Sequence, residues 1–166
     1  MLRHVEGLDR IRSVAAIGED VYAMDDRCRV AHLRDLALLA IDVFDRGCTQ
    51  AHWQSDRIDA GADGAAWLIG AGLVERRPLA GRQNRWKIAI TATDVAVARD
   101  GTAYVVGVAP SDRSGRAMLA VLAPGRAPIV RVLPEFNVES IAIDGRDRIW
   151  LGVPFWHAAV LVSPRG

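Results

Sequence analysis

The stretch DVAVARDGTAYVVG, residues 94–107, decides the fold. It begins with alternating small and large apolar residues, as a half-buried strand does. Asp100-Gly101 then supplies a tight hairpin turn, and Tyr104 opens a second strand. Residues 140–152, SIAIDGRDRIWLG, repeat the pattern later in the chain. Both stretches therefore predict an antiparallel hairpin, and the repetition predicts that the chain uses this unit more than once.

An aromatic residue marks the same place in four such units. Trp67 in IDAGADGAAWLIG matches Tyr104 and Trp150, and Tyr22 in VAAIGEDVYAM matches more loosely. Subtraction of residue numbers gives separations of 45, 37 and 46 residues, which is the length of a four-stranded propeller blade. One antiparallel sheet cannot bury both of its faces alone, so the predicted sheets must stack on one another around an axis.

The sequence therefore predicts an all-β chain, a small β-propeller of about four four-stranded antiparallel blades in one domain of residues 1–166. An N-terminal strand is expected to complete the last blade and hide its edge. The ring then closes within one four-bladed chain, or between two chains as half of a dimeric eight-bladed ring. The predicted blades are residues 12–44, 56–92, 93–135 and 138–164, the last completed by the strand at residues 2–8.

The hairpin pattern xVAVxxDGxxYVxG, followed by strands of the type xVxVLxPxG, resembles the blades of NHL-like and gluconolactonase-like β-propellers. The resemblance covers most of the chain and implies the fold, although that fold carries many unrelated functions. It also implies that ligands bind at the ring entrance, in the loops between blades and between the second and third strands.

One segment leaves two interpretations open. In LRDLALLAIDVF, residues 33–44, six apolar residues fall on one helical face, and the composition favours a helix. The position of the segment, in the outer part of the first unit, favours a strand. We expect the strand.

Composition narrows the class of protein. Lysine and arginine number 21 against 20 aspartates and glutamates, so the net charge of +1 favours neither nucleic acid nor an anionic membrane as partner. The N-terminal residues MLRHVEGLDR lack the apolar core of a secretory signal, and no apolar run approaches a membrane span. We expect a cytoplasmic protein without membrane insertion, with Cys28 and Cys48 as free buried thiols.

Four acidic residues fall at the predicted entrance: Asp25, Asp56, Asp94 and Glu139. Their oxygens suit a hard divalent cation such as calcium, which polarises a substrate carbonyl or activates a water. The resemblance to gluconolactonase-like enzymes implies this use. The competing interpretation is that these acids are turn formers bonded to local backbone amides. The full ligand pattern of that enzyme family is not recognisable, so we expect no cofactor and keep a divalent cation as the alternative.

Two aromatic–histidine pairs are the other candidate ligand-binding residues. Trp156-His157 and His52-Trp53 combine an indole that stacks on a sugar or base with an imidazole that donates a hydrogen bond. The alternative is that the aromatic rings cap the core. No GxSxG, HExxH, Walker or GxGxxG motif occurs, so the usual hydrolase, protease and nucleotide signatures are absent.

These observations favour a protein-binding or scaffolding propeller over an enzyme. Such a module serves as an accessory subunit of a larger assembly, with a protein partner or a second copy of itself as ligand. A cation-dependent hydrolase or lyase acting at the propeller entrance is the first alternative, and a lectin-like carbohydrate binder is the second.

Overall fold

Antiparallel strands make up the regular structure of this chain. The computed structural model describes residues 7–35, 37–44, 57–70, 72–110, 116–133, 137–154 and 157–162. Within those ranges the chain forms fifteen strands and no α-helix, which confirms the all-β prediction. It follows that the described ranges contain no helix that could span a membrane.

The strands form four sheets, each from strands that follow one another in the chain. Sheet 1 contains β1 (Ile11–Ile17), β2 (Asp20–Asp25), β3 (Arg29–Arg34) and β4 (Ala37–Val43). Sheet 2 contains β5 (Arg57–Ala60), β6 (Ala66–Gly70), β7 (Leu73–Arg77) and β8 (Asn84–Lys87). Sheet 3 contains β9 (Thr91–Val97), β10 (Ala103–Val108), β11 (Ala117–Leu122) and β12 (Ile129–Val132). Sheet 4 contains β13 (Ser140–Ile143), β14 (Ile149–Val153) and β15 (Ala158–Val162).

The segment with two interpretations is a strand. Ala37–Val43 pairs with β3 along its length. A bulge shifts the register between the pair His32–Ala40 and the pair Leu33–Leu38. The helical alternative fails because every residue of this strand is exposed, so no buried helical face exists. The structure therefore decides for the strand.

The four repeated aromatic residues lie on the equivalent face of their sheets. Tyr22, Trp67, Tyr104 and Trp150 pair across the first hairpin with Ala15, Asp59, Ala96 and Ala142, respectively. We call this side of a sheet its aromatic face and the opposite side its aliphatic face. The alanines keep the first strand of the hairpin thin, which lets neighbouring sheets approach at the axis.

The sheets pack in chain order, aromatic face on aliphatic face. One core cluster joins Tyr22 and Met24 of sheet 1 to Ile58 of sheet 2. A second joins Trp67 of sheet 2 to sheet 3, and a third joins sheet 3 to Ile141 of sheet 4. Burial of these apolar side chains supplies the main stabilisation of the fold.

The described residues form an open row of sheets. None of the three core clusters joins sheet 4 to sheet 1. Residues 2–6 of the expected N-terminal strand lie outside the described ranges; Gly7 and Leu8 belong to no strand, and the Asp9 amide donates to Asp25 in sheet 1. Pairing of that segment with the last blade stays a prediction.

The expectation of free thiols is wrong for Cys28, which is disulfide-bonded. Cys48, the only other cysteine of the sequence, lies outside the described ranges. Cys28 is buried, and the Phe44 amide donates to its carbonyl at 2.8 Å, so the chain leaving β4 passes directly beside it. The number and spacing of the cysteines in the sequence could not show that the chain returns to Cys28 after β4. The cytoplasmic location stays a prediction, and disulfides are rare in that compartment.

Candidate functional site

Of the acidic residues predicted to bind a metal, Asp25 is fully buried and has protein partners. Its carboxylate accepts hydrogen bonds from the amides of Asp9, Arg27 and Arg29 at 2.8 to 3.0 Å and from the Arg29 side chain at 2.7 Å. Burial alone would raise the pKa of Asp25, but these hydrogen bonds outweigh burial and lower it. Asp25 therefore closes the β2–β3 turn.

Asp94 and Glu139 lie at the boundary between sheets 3 and 4. Asp94 Oδ2 accepts the Ile141 amide at 3.0 Å, whereas Glu139 is exposed and its amide donates to Gly152. In the part of the chain that the structure describes, no three histidine, cysteine, aspartate or glutamate side chains are grouped to hold a metal ion. Asp56 lies outside that part, so the cation site stays a prediction.

The aromatic–histidine candidates are described only in part. Trp156, His52 and Trp53 lie outside the described ranges. His157 is exposed, has a left-handed φ of 50°, and donates its amide to the Pro154 carbonyl at 3.0 Å. It therefore turns the chain between β14 and β15, and its ligand-binding role stays a prediction.

Polar side chains tie the first strand of each sheet to that of the next. The Ile58 amide donates to Ser13 Oγ at 3.1 Å, and the Ile141 amide donates to Asp94 Oδ2 at 3.0 Å. Ser13 and Asp94 occupy the same register, two residues before the alanine that pairs with the aromatic residue. Asp59 reaches sheet 3 from a neighbouring position and accepts the Val97 amide at 2.8 Å. Sequence analysis missed these links, although the aligned units did place a polar residue at this position.

These links border a groove along the axis. The groove has a volume of about 370 Å³ and is lined by β5, β9 and β13. Burial raises the pKa of both Asp59 and Asp94, and the charge of Asp94 adds to the rise at Asp59. A carboxyl group with a raised pKa keeps its proton to a higher pH than an ordinary aspartate, as carboxyl groups at catalytic sites often do.

The raised pKa of Asp94 predicts a pH dependence of stability. The folded chain binds a proton at Asp94 more tightly than the unfolded chain, so this group lowers stability progressively as pH rises above 3.8. Asp94→Asn keeps an acceptor oxygen and removes the titration. We therefore expect the difference in unfolding free energy, variant minus wild type, to grow in the variant's favour as pH rises, measured by urea titrations across the acid range.

Asp144 provides a control of opposite sign. Hydrogen bonds, led by that from Trp150 Nε1 at 3.0 Å and followed by those from Arg146 and Arg148, lower its pKa. Its contribution to stability is therefore lost as pH falls below 3.8. Asp144→Asn is expected to lose stability relative to wild type as pH rises toward that value. The unfolding free energies of the two variants, each relative to wild type, should change with pH in opposite directions. A change in the same direction would contradict the raised pKa of Asp94.

A second cavity lies between the first hairpins of sheets 1 and 2. It has a volume of about 590 Å³ and is bordered by Asp20, Arg34 and Asp63. Asp20 accepts hydrogen bonds from Arg34 at 3.0 Å and from His32 at 2.7 Å, and the Arg34 bond is the main cause of its lowered pKa. The Tyr22 hydroxyl donates to the Gly64 carbonyl at 2.6 Å. Asp20, His32 and Arg34 all belong to sheet 1, so the Tyr22–Gly64 bond is the one of these that joins the two sheets.

The two ends of the row present sheet faces that are buried elsewhere. In each sheet, one residue on the aliphatic face directly precedes the cross-strand partner of the repeated aromatic residue. This residue is 5% exposed at Ile58, 5% at Val95 and 7% at Ile141, but 59% exposed at Val14. The difference arises because sheet 1 has no preceding sheet among the described residues.

The open aliphatic face of sheet 1 continues outward from Val14. Cross-strand pairing places Val14, Ala23, Ala31 and Ile41 in one row. Ile41 is 40% exposed, and Gly7 lies so close that a Cβ on it would be 2.7 Å from Ile41 Cδ1. The face is therefore apolar from the axis to the outer strand; it is exposed at Val14 and along β4, whereas Ala23 and Ala31 in its middle are buried.

The open aromatic face of sheet 4 carries the row Ala142, Trp150 and Leu161. Its counterpart in sheet 3 is Ala96, Tyr104 and Val121, which pack in the cluster with sheet 4. Ala96 is 5% exposed, whereas Ala142 is exposed and Leu161 is 50% exposed. Both ends of the row thus carry half of a sheet–sheet interface.

Comparison with known proteins identifies the fold. No family model matches the chain, and no curated protein matches it by sequence. A catalytically inactive virginiamycin B lyase from Staphylococcus aureus with quinupristin overlays with a TM-score of 0.74 at 10% identity, covering 98% of this chain and 55% of that one. YCF48 bound to D1 peptide gives 0.62 at 15% identity, covering 95% and 50%. A putative gluconolactonase gives 0.65 at 13% identity, covering 98% and 62%.

These likenesses confirm the propeller-type repeat predicted from the hairpins. Identities of 10 to 15% concern the fold alone. This chain spans about half the length of YCF48 and of the virginiamycin B lyase. Its four sheets therefore overlay part of each of these two proteins.

Proposed function

We propose that this chain is a protein-binding propeller module that recognises protein through the two open faces at the ends of its row of sheets. The 59% exposure of Val14, at a position that is 5 to 7% exposed in the three following sheets, carries the proposal. The equivalent apolar residue is buried between sheets in the three following sheets, so we expect another polypeptide to cover it in sheet 1.

The extent of the faces supports this use. Leu38, Ile41 and Val43 are 46%, 40% and 51% exposed and extend the apolar face of sheet 1 to its outermost strand. Leu161 provides the matching apolar group on sheet 4. Exposed apolar side chains grouped on one face mark protein interaction sites in soluble domains. YCF48, a protein of the same fold, is bound to a peptide in its solved structure.

The proposal is tested by co-purification from a lysate of the encoding organism. Both a tagged and an untagged copy of the chain are present in this lysate. We expect Val14→Arg and Leu161→Arg each to remove specific partners, because each buries a charge in one end face. Both side chains are at least half exposed, so the free chain should remain folded.

Ile129→Arg is the matched control. Ile129 is 55% exposed on the outer strand of sheet 3, which has a neighbouring sheet on both sides. This variant should retain the partners. The proposal fails if both end-face variants keep every partner that the wild-type chain and Ile129→Arg capture.

The enzymatic and carbohydrate-binding alternatives stay predictions. The axial groove supplies two carboxyl groups with raised pKa, which a hydrolase or lyase could use. The indoles expected to contact a sugar, Trp53 and Trp156, lie outside the described ranges.

A further inference from the structure

We infer that the protein bound at the end faces is a second copy of this chain, joined head to tail. In each copy, the aromatic face of sheet 4 packs on the aliphatic face of sheet 1 of the other copy. The two contacts of this kind close a ring of eight sheets. This inference rests on the proposed protein-binding role of the end faces and names their partner.

The two faces are the two halves of an interface that the chain already contains. Within the chain, the pairs Ala15–Tyr22 and Ala96–Tyr104 are each covered by the aliphatic face of the following sheet. Ala142–Trp150 has the same pairing and the same small-plus-aromatic shape. The surface that fits it best is therefore another aliphatic face of this chain, and sheet 1 is the sheet whose innermost aliphatic-face residue, Val14, is exposed.

A hydrogen-bond position supports the same pairing. Ser13 and Asp94 accept amides of the next sheet, from Ile58 and Ile141. Ser140 occupies the equivalent place in sheet 4, and its Oγ lies over Gly152 on the open face, 2.2 Å from where a Cβ on that glycine would be. Val14 is the equivalent of Ile58. The Ser140 hydroxyl is thus placed to accept the Val14 amide of the other copy.

The number of sheets and the lack of a core cluster between the two end sheets of the described chain favour two copies over closure within one chain. Sheets 4 and 1 share no core cluster in the described part of the chain. The four sheets cover 50 to 62% of the length of three solved propellers, so a ring of that size requires further sheets. A second copy supplies about the missing half, and two identical head-to-tail contacts close the ring with twofold symmetry.

Native mass spectrometry with light scattering tests the inference. The wild-type chain is expected at 36.0 kDa, twice its 18.0 kDa. Val14→Arg and Leu161→Arg are each expected at 18.0 kDa with unchanged circular dichroism, because either change places a charge in both contacts of the ring. Ile129→Arg should remain at 36.0 kDa.

Mixing the two end-face variants identifies which faces meet. Val14→Arg keeps an intact sheet 4 face and Leu161→Arg keeps an intact sheet 1 face, so the mixture contains one undamaged contact per pair. We expect a 36.0 kDa species in the mixture, although each variant alone is monomeric. A dimer formed by two like faces would leave one variant dimeric and would gain nothing on mixing.

Ser140→Ala tests the hydrogen bond separately. Loss of an acceptor in each contact should raise the dimer Kd several-fold, up to about tenfold per contact, without changing circular dichroism. A wild-type mass of 18.0 kDa at every concentration would overturn the inference, as would a series of masses above 36.0 kDa. A monomer that still loses a partner on Val14→Arg would leave the protein-binding proposal intact and assign the face to a different protein.

Discussion

Trp67→Ala lowers the free energy of unfolding by about 3–5 kcal/mol, the range for truncating a fully buried indole. Trp67 is 0% exposed and belongs to the core cluster that joins sheets 2 and 3. It also stacks on Trp86, with ring centroids 5.3 Å apart and planes 8° from parallel. The truncation leaves a cavity in the middle of the row. Equilibrium urea unfolding measures the loss.

Two further variants locate the source of this effect. Trp67→Phe should cost less than alanine, because the indole N–H of Trp67 is buried without a hydrogen-bond partner in the described structure. Trp86→Ala should also cost less, because Trp86 lies on the outer strand and is only partly buried. A loss below about 1 kcal/mol for Trp67→Ala would contradict the place of this residue between two packed sheets.

Asp25→Ala is expected to have the second large effect, a loss of about 3–5 kcal/mol, as when one partner of a buried ion pair is removed. The carboxylate is 0% exposed and accepts hydrogen bonds from three amides and from Arg29. Its removal takes the shared acceptor from these partly buried donors. Because its pKa is lowered, the wild-type contribution should be present above pH 3.8 and lost as pH falls below it.

Asp25→Asn separates this role from metal binding. The amide group replaces an acceptor oxygen with a donor that faces other donors, so most of the loss should persist. Thermal unfolding of the wild-type chain with calcium and with a chelator is the companion measurement. Stabilisation by calcium that disappears in Asp25→Asn would contradict the structural role and support the predicted cation site.

The spacing of aromatic residues predicted the sheets because one feature serves two purposes. Tyr22, Trp67, Tyr104 and Trp150 each open the second strand of a hairpin and also fill one face of a sheet. Strand periodicity and turn residues are local properties of the chain, so they can be read from sequence. The strand at Ala37–Val43 was harder, since its apolar residues also fit a helix and only pairing with β3 decides the matter.

The roles of the acidic residues could not be predicted in the same way. Whether Asp94 faces a solvent-filled entrance or an amide of the next sheet depends on how two sheets are offset, which involves residues 47 positions apart in sequence. Asp25 is buried because the turn after β2 wraps its own amides around the carboxylate. Sequence analysis identified both residues as chemically significant, and the structure shows what their oxygens contact.

The openness of the row was also beyond the sequence. Val14 and Ile141 are equivalent in the repeat, and nothing in either residue type indicates that one is covered and the other exposed. That difference follows because, among the described residues, no sheet shares a core cluster with the aliphatic face of sheet 1 at Val14, which depends on packing along the whole row. The expectation of a ring closed within four blades or across two chains could not be decided without it.

Hydroxyl-radical footprinting tests the central claim, that the end faces are open in the free chain and covered on binding. In wild-type chain diluted until its mass is 18.0 kDa, Val14 and Leu161 should be oxidised much faster than Val95 and Ile141, and binding of a second copy or another protein should suppress that oxidation. Val14 as strongly protected as Val95 in the 18.0 kDa chain would contradict the claim, because sheet 4 would then cover sheet 1 within a single molecule.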